Sequence, residues 1–269
     1  MVVRLTIDES RQRVLPQDIN AIDGVIAAIH QPNYIPWLGY FFKIAYATTF
    51  VFLDIAAFSP SGSFVNRNSI KTPGGAAWLT IPVMTSGRFG QLISEVKTDC
   101  RNRWARRHMS TLRSNYGRAP YFKETIALLE PHYTAVTENT SLAGFNIGLI
   151  RSIVEHLGIS AQFTRASDLN VSGHKTDLLL EICRTVRAKT YLAGTGAKCY
   201  QEDAKFEEAG IGTVYSPFSQ HSYSQRFGEF VENLSIVDVL MNCGRLGTRQ
   251  LLGIEPQRAN DAIFNNAQA

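Results

Sequence analysis

Cysteine is scarce in this chain of 269 residues, and its placement excludes more than it suggests. Cys100, Cys183, Cys199 and Cys243 are widely scattered, and no two form a Cys-x-x-Cys pair. That argues against a zinc site and predicts free thiols, mostly buried as small hydrophobes in a reducing compartment. No apolar run reaches the length of a membrane span. Residues 1–20 carry Arg4, Asp8, Glu9, Arg11 and Arg13 and lack the apolar stretch of a signal peptide, so a cytoplasmic protein is expected. Gly-x-Ser-x-Gly, His-Glu-x-x-His and the kinase signature are absent. No internal repeat or long low-complexity linker is present. Charge is nearly balanced, at net +4, which suits anionic ligands without requiring nucleic acid.

Against these absences stands one dense stretch, Ile29-His30-Gln31-Pro32-Asn33-Tyr34-Ile35-Pro36-Trp37-Leu38-Gly39-Tyr40-Phe41-Phe42-Lys43-Ile44. The apolar run before it, residues 25–29, reads as a buried strand. Pro32 and Pro36 bar regular structure between them, and helical spacing resumes near Leu38. A second apolar run, residues 50–53, ends in Asp54. The unit is strand, tight loop, helix, strand. In an open α/β sheet, ligands bind beyond the carboxyl ends of the strands, where His30 and Asp54 are expected. Gln31, Asn33, Tyr34, Trp37, Tyr40 and Lys43 crowd the same loop and helix start. Any one of them can be explained by packing; the concentration of hydrogen-bonding groups at one strand end points to a binding site.

Further along, Asn66, Arg67, Asn68 and Lys71 precede a turn, and residues 78–83 alternate as a strand, so a hairpin-like segment is expected. Two cations with two amides form a candidate clamp for phosphate or carboxylate, unless the amides serve the turn and Arg67 is solvated. Residues 91–96 read as a strand. A helix is expected from Cys100 to about Tyr116, with Arg103, Arg106 and Arg107 on one face. That basic patch suits a phosphopantetheine carrier or a nucleotide-sugar diphosphate, or is a solvated face. No aromatic stacking series or nucleic-acid motif accompanies it, which argues against nucleic acid. Helices are expected at 122–129 and 133–136, on either side of Pro131, and from Ser141 to Gly158. A second α/β unit follows, with strands at 163–166, 190–193 and 213–215. Gly194, Gly196, Lys198 and Tyr200 form a glycine-containing loop after a strand, a weak candidate for an anion-binding wall. The last helix reads from Leu234 and is stopped by Gly244.

The expected fold is therefore α/β, an open and mainly parallel sheet with a helical insertion or cap. Residues 1–24 read as a lead-in with an edge strand at 2–7. Residues 25–100 form a first α/β half, 101–160 a helical segment, 161–252 a second half and closing helix, and 253–269 a loose tail. Together they make one compact two-lobed unit.

The motif around His30 resembles the signature of the WbqC-like protein family. The resemblance continues in Phe52-Leu53-Asp54, Asn66-Arg67-Asn68-Ser69-Ile70-Lys71, Trp78-Leu79-Thr80-Ile81-Pro82-Val83, Tyr191-Leu192-Ala193-Gly194 and Leu234-Ser235-Ile236-Val237-Asp238. It implies a role in surface-polysaccharide or natural-product biosynthesis, with transfer of an aminoacyl group to an amino sugar as one activity suggested for members. A second similarity is to nucleotidyltransferases and pantothenate-synthetase-like ligases, which place His-x-Gly-His after the first strand. Here Trp37-Leu38-Gly39-Tyr40 keeps the glycine and replaces both histidines.

The leading expectation is an amide-forming acyl or aminoacyl transferase or ligase acting on a small-molecule amine. His30 would be the base, oriented by Asp54. Activation would come from ATP with Mg²⁺, or from a thioester on coenzyme A or an acyl or peptidyl carrier protein, with no metal otherwise. The alternatives are a nucleotidyltransferase acting on a small phosphate or sugar, and a non-catalytic ligand- or carrier-binding module. The sequence leaves the cofactor and the oligomeric state open.

Overall fold

The computed structural model describes residues 16–60, 63–199 and 201–254. Among them, the strands are β1 (Ile26–His30), β2 (Thr49–Phe52), β3 (Arg67–Thr72), β4 (Gly75–Thr80), β5 (Gln162–Arg165), β6 (Thr190–Ala193) and β7 (Gly212–Tyr215). The helices are α1 (Pro16–Asn20), α2 (Leu38–Tyr46), α3 (Trp104–Tyr116), α4 (Phe122–Thr134), α5 (Leu142–His156), α6 (Lys175–Thr185), α7 (Asp203–Glu208) and α8 (Ile236–Leu251).

Three short apolar strands set the centre. β2 and β6 are buried throughout, as is β1 up to His30. Side chains alternate across the sheet. Ala28, Phe50, Phe52 and Leu192 enter one core, while Ala27, Ile29, Val51, Tyr191 and Ala193 enter the other. Burying Phe50 and Phe52 contributes about 1.5–3 kcal/mol each. Both faces need cover, which is the condition for a parallel sheet.

The sheet is open and wholly parallel, in the order β5-β2-β1-β6-β7. Chain order reverses between β1 and β6, so that pair is the topological switch point. The hairpin β3–β4 and helices α3 to α5 are inserted between β2 and β5 and pack into the core shared with α2 and α8. This is the α/β sheet with a helical insertion that the patterning predicts.

Several local expectations are corrected. Residues 91–96 form no strand; Ile93–Glu95 is a 3-10 turn, and pairing is limited to an isolated bridge from Leu92 to Ala57. The helix expected from Cys100 is divided: Cys100–Asn102 is a 3-10 turn, Arg103 is left-handed with φ 48°, and α3 begins at Trp104. Pro131 does not split α4, because it stands exposed in the last turns, where one missing hydrogen bond is tolerated. Gly244 does leave helical geometry (φ 62°, ψ −170°), as expected of the residue that stops the helix, but a second helical segment follows directly, so α8 is two segments joined at a kink. A Cβ there would lie 2.5 Å from the Tyr121 ring, so the kink is where that ring crosses the helix. The edge strand expected at 2–7 lies outside the described residues.

Candidate functional site

The loop after β1 is held through its backbone groups, most of them by side chains from distant elements. The Pro32 carbonyl accepts from Asn146 Nδ2 at 2.8 Å, and the Tyr34 carbonyl accepts from Asn68 Nδ2 at 3.2 Å. The Ile35 carbonyl accepts twice, from Asn68 Nδ2 and from Ser235 Oγ, both at 2.8 Å. The Pro36 carbonyl accepts from the Ile236 N–H at 2.8 Å, and the Tyr34 N–H donates to the Phe64 carbonyl at 2.9 Å. Buried backbone groups require such partners. They also hold Ile35 at φ 33°, a strained value for a β-branched residue that persists only where the surroundings over-determine it. Motif residues Asn68 from β3 and Ser235 at the start of α8, together with Asn146 from α5, thus converge on one loop.

Tyr34 points away from the strand end. Thr80 O can only accept, so His108 Nε2 must donate to it (3.2 Å) and Nδ1 must accept from Tyr34 OH (2.8 Å). Tyr133 OH then donates to Tyr34 at 2.5 Å. Burial pushes the His108 pKa down to about 4, which keeps the ring in this neutral role. Tyr34 therefore ties the loop to the helical insertion.

His30 sits at the carboxyl end of β1, beside the switch point, and keeps partial exposure. Its Nδ1 lies 3.2 Å from the Gln31 carbonyl, which can only accept, so Nδ1 carries the proton and Nε2 presents a lone pair. Tyr40 packs edge-on to the imidazole at 4.8 Å and donates its hydroxyl to the same carbonyl at 3.0 Å. Burial and the nearby Lys43 charge lower the His30 pKa to about 3. Lys43, one turn further along α2, is almost fully buried. Its ammonium donates to the Ile29 carbonyl at 3.4 Å. A Cβ on Gly194 would lie 3.9 Å from that ammonium, which places Lys43 between the ends of β1 and β6. Burial lowers its pKa to about 7.

Asn33 is buried and gives Tyr40 a backbone hydrogen bond. Trp37 stacks across Gly39, where a Cβ would meet the indole at 2.3 Å, and packs edge-on against Phe218 at 5.5 Å. Neither Trp37 nor Tyr40 reproduces the imidazole pair of the nucleotidyltransferase pattern.

Asp54 does not orient His30. Its carboxylate accepts from Arg165 Nε at 2.8 Å, the Ser167 N–H at 2.9 Å and Ser167 Oγ at 2.8 Å, which ties β2 to the end of β5. Asn66 Nδ2 donates to the Ile81 carbonyl at 3.1 Å, and Asn68 belongs to the loop scaffold. The Arg67 guanidinium lies over the Trp78 ring at 4.7 Å. Lys71 is buried and donates to Gln225 Oε1 at 3.1 Å and to the Glu229 carbonyl. Among the described residues, Arg67 and Lys71 share no partner: Lys71 is committed to Gln225 and Glu229, while the buried Arg67 Nε has no hydrogen-bond partner. Thr195–Cys199 is a 3-10 turn rather than an open glycine loop, and Gly196 has open space where a Cβ would be. Tyr200 and the Lys198 side chain lie outside the described residues.

Lys71 belongs to a buried network that sequence reasoning missed. Tyr116 OH donates to Asp238 Oδ1 at 2.6 Å and Tyr223 OH to Oδ2 at 2.8 Å. Gln225 Nε2 donates to Tyr223 OH at 3.0 Å, and the Lys71 N–H donates to Tyr116 OH at 2.9 Å. Burial raises the Asp238 pKa against these donors. The network anchors the long connection between β7 and α8, whose Tyr223 and Gln225 carry no motif signal. Asn146 and Arg165 were also missed, although a polar Asn146 inside the apolar stripe of α5 is a legible sign of a buried hydrogen-bonding duty. Burial lifts the Cys183 thiol to about 12 and the Cys243 thiol to about 11, which leaves both inert. Among the described residues, no group of three His, Cys, Asp or Glu is placed to hold a metal, and no helix is long and apolar enough to cross a membrane.

Fold and site together define an open α/β protein with a neutral histidine and a buried lysine at the carboxyl edge of its switch point. A model of the WbqC-like protein family matches residues 31–250, and the chain belongs to that family. It is 35% identical over 218 residues, 81% of this chain and 93% of the relative, to a protein of Mycobacterium tuberculosis (strain ATCC 25618 / H37Rv) described as "Uncharacterized protein Rv1507c". No solved structure matches the chain, so no solved neighbour carries the likeness to nucleotidyltransferase-type folds.

Proposed function

We propose that the chain forms an amide bond, transferring an acyl or aminoacyl group to an amine such as that of an amino sugar, in surface-polysaccharide or natural-product biosynthesis. The observation that carries this reading is the His30–Lys43 pair: an imidazole whose Nε2 lone pair is free, next to a buried amine at the switch point. In the reaction, the acceptor nitrogen attacks the acyl carbon. The C–N bond forms, and the bond from carbon to the thiolate or adenylate leaving group breaks. His30 Nε2 takes the proton from the attacking nitrogen and returns it to a departing thiolate, or to water if AMP leaves. Lys43 binds a carboxylate or phosphate of the donor or stabilises the developing oxyanion. An imidazole with a pKa near 3 is a weak base while Lys43 is charged and unpaired. A bound anion offsets the Lys43 charge, the smaller of the two causes, and so raises the basicity of the imidazole, while burial, the larger cause, still holds it low.

Donor and leaving group are separated by one experiment. Purified protein is incubated with an amino-sugar acceptor and either amino acids with ATP and Mg²⁺ or aminoacyl-coenzyme A thioesters, and amide product is sought by mass spectrometry. Product with ATP and release of AMP supports the ligase route; product with release of thiol supports the transferase route. Tight ligand binding with no product from either would replace this reading with a non-catalytic binding module. That second reading draws on Asp54, whose saturation by Arg165 and Ser167 leaves His30 without a carboxylate partner among the described residues.

A further inference from the structure

We propose that α3 carries a second ligand site, separate from the switch-point crevice, for an organic phosphate whose apolar or planar body enters a pocket beside α4. Two concavities meet there and share Arg103 and Arg106. One, of about 420 Å³, is walled by Trp104, Met109, Tyr133 and Val136. The other, of about 480 Å³, is a polar groove along Arg101, Arg107 and Ser110. Both volumes suit small molecules.

Charge decides what the groove takes. Arg101 is paired with Asp99 at 2.6 Å and Arg113 with Glu130 at 2.5 Å. Arg103, Arg106 and Arg107 are exposed and, among the described residues, have no acidic partner. Three unpaired guanidinium groups within five residues match the charge and the several acceptor oxygens of a phosphate better than the single charge of a carboxylate. The shared arginines stand at the boundary of the apolar pocket, so a ligand with a phosphate at one end and an apolar body at the other uses both concavities. The Trp104 indole N–H, in the pocket wall, has no hydrogen-bond partner. An orphaned buried donor beside a pocket fits a ligand that carries an acceptor. Tyr133, on the same wall, donates to Tyr34, so the pocket floor touches the loop that supports His30.

Calorimetric titration of the full chain with inorganic phosphate, hexyl phosphate and AMP tests this site. At least one ester is expected to bind about tenfold or more tightly than inorganic phosphate, because it alone fills the apolar pocket. Arg103→Ala/Arg106→Ala, an exposed pair whose fold is checked by circular dichroism, is expected to weaken that binding about tenfold or more. Lys43→Met is expected to leave the arginine-dependent binding of hexyl phosphate unchanged, which separates this site from the crevice. Preference for the hexyl chain or for adenosine identifies the body that the pocket accepts. Equal binding of all three probes, or a loss caused by Lys43→Met and not by the arginine pair, would overturn the proposal. Tighter binding of a single-stranded oligonucleotide than of either ester would also overturn it.

Discussion

Lys43 helps to hold His30 neutral: burial and the Lys43 charge lower the imidazole pKa to about 3, while burial lowers the lysine to about 7. Among the described residues Lys43 has a carbonyl for a partner and no carboxylate, so the fold carries a poorly compensated buried charge. Between pH 7 and 10.5 the unfolded chain binds a proton that the folded chain has released. Stability from this residue therefore rises with pH across that window, and below pH 7 the cost is present in full. Lys43→Met is expected to raise the unfolding free energy at pH 6 by on the order of 2–4 kcal/mol, a gain that shrinks toward pH 10. Denaturant unfolding at the two pH values checks this. A variant less stable than the parent at pH 6 would show that the lysine is well compensated. Stability gained by removing a residue at the cost of ligand binding is the pattern of a functional site.

Acid should destabilise the protein through two histidines. His30 and His108 have pKa values near 3 and 4 in the fold, against 6.5 for the free side chain. The unfolded state takes up these protons first, so their contribution is complete above pH 6.5 and is lost as pH falls toward 4 and then 3. Protonated His108 cannot accept from Tyr34, which breaks the tie between the loop and the insertion. Unfolding free energy measured from pH 7 to pH 4 should fall with a slope approaching two protons, and His108→Gln should make it shallower. A flat profile would contradict both assignments.

The Ile35 carbonyl offers a test of the scaffold. Asn68→Ala and Ser235→Ala each remove one of its two donors and should cost about 1–3 kcal/mol. Because both hold one strained residue, the double variant should depart from additivity. A double-mutant cycle by urea unfolding reads this directly; strict additivity would show that the two contacts act independently.

Asp54 separates structure from chemistry. Asp54→Ala leaves Arg165 and Ser167 without their acceptor and, because Arg165 is partly exposed and can be solvated, should cost about 1–3 kcal/mol. The His30 titration, followed by NMR, should not move. A shift of that titration would restore Asp54 to the site.

The sheet was legible because β1, β2 and β6 are short apolar runs that only a doubly covered sheet can bury. His30 was legible because a polar residue ends the first of them. What was not legible depends on distant partners. The spacing of Arg67 and Lys71 suggests a shared anion, yet Trp78 and Gln225 engage them separately. Asp54 sits at a strand end as expected, but its partner arrives from Arg165, 111 positions away. Much of the motif after His30 records the cost of holding a strained loop, a constraint that appears only when Asn68, Asn146 and Ser235 converge on it.

The most direct test of the central claim is the turnover of His30→Ala, measured against the parent chain at pH 7 with the donor and acceptor found to give product. If the free Nε2 removes the amine proton, turnover should fall by about 10²- to 10⁴-fold with the fold intact, and His30→Gln should not restore it. Full turnover by His30→Ala would show that the imidazole is a structural residue and that the account of the site is wrong.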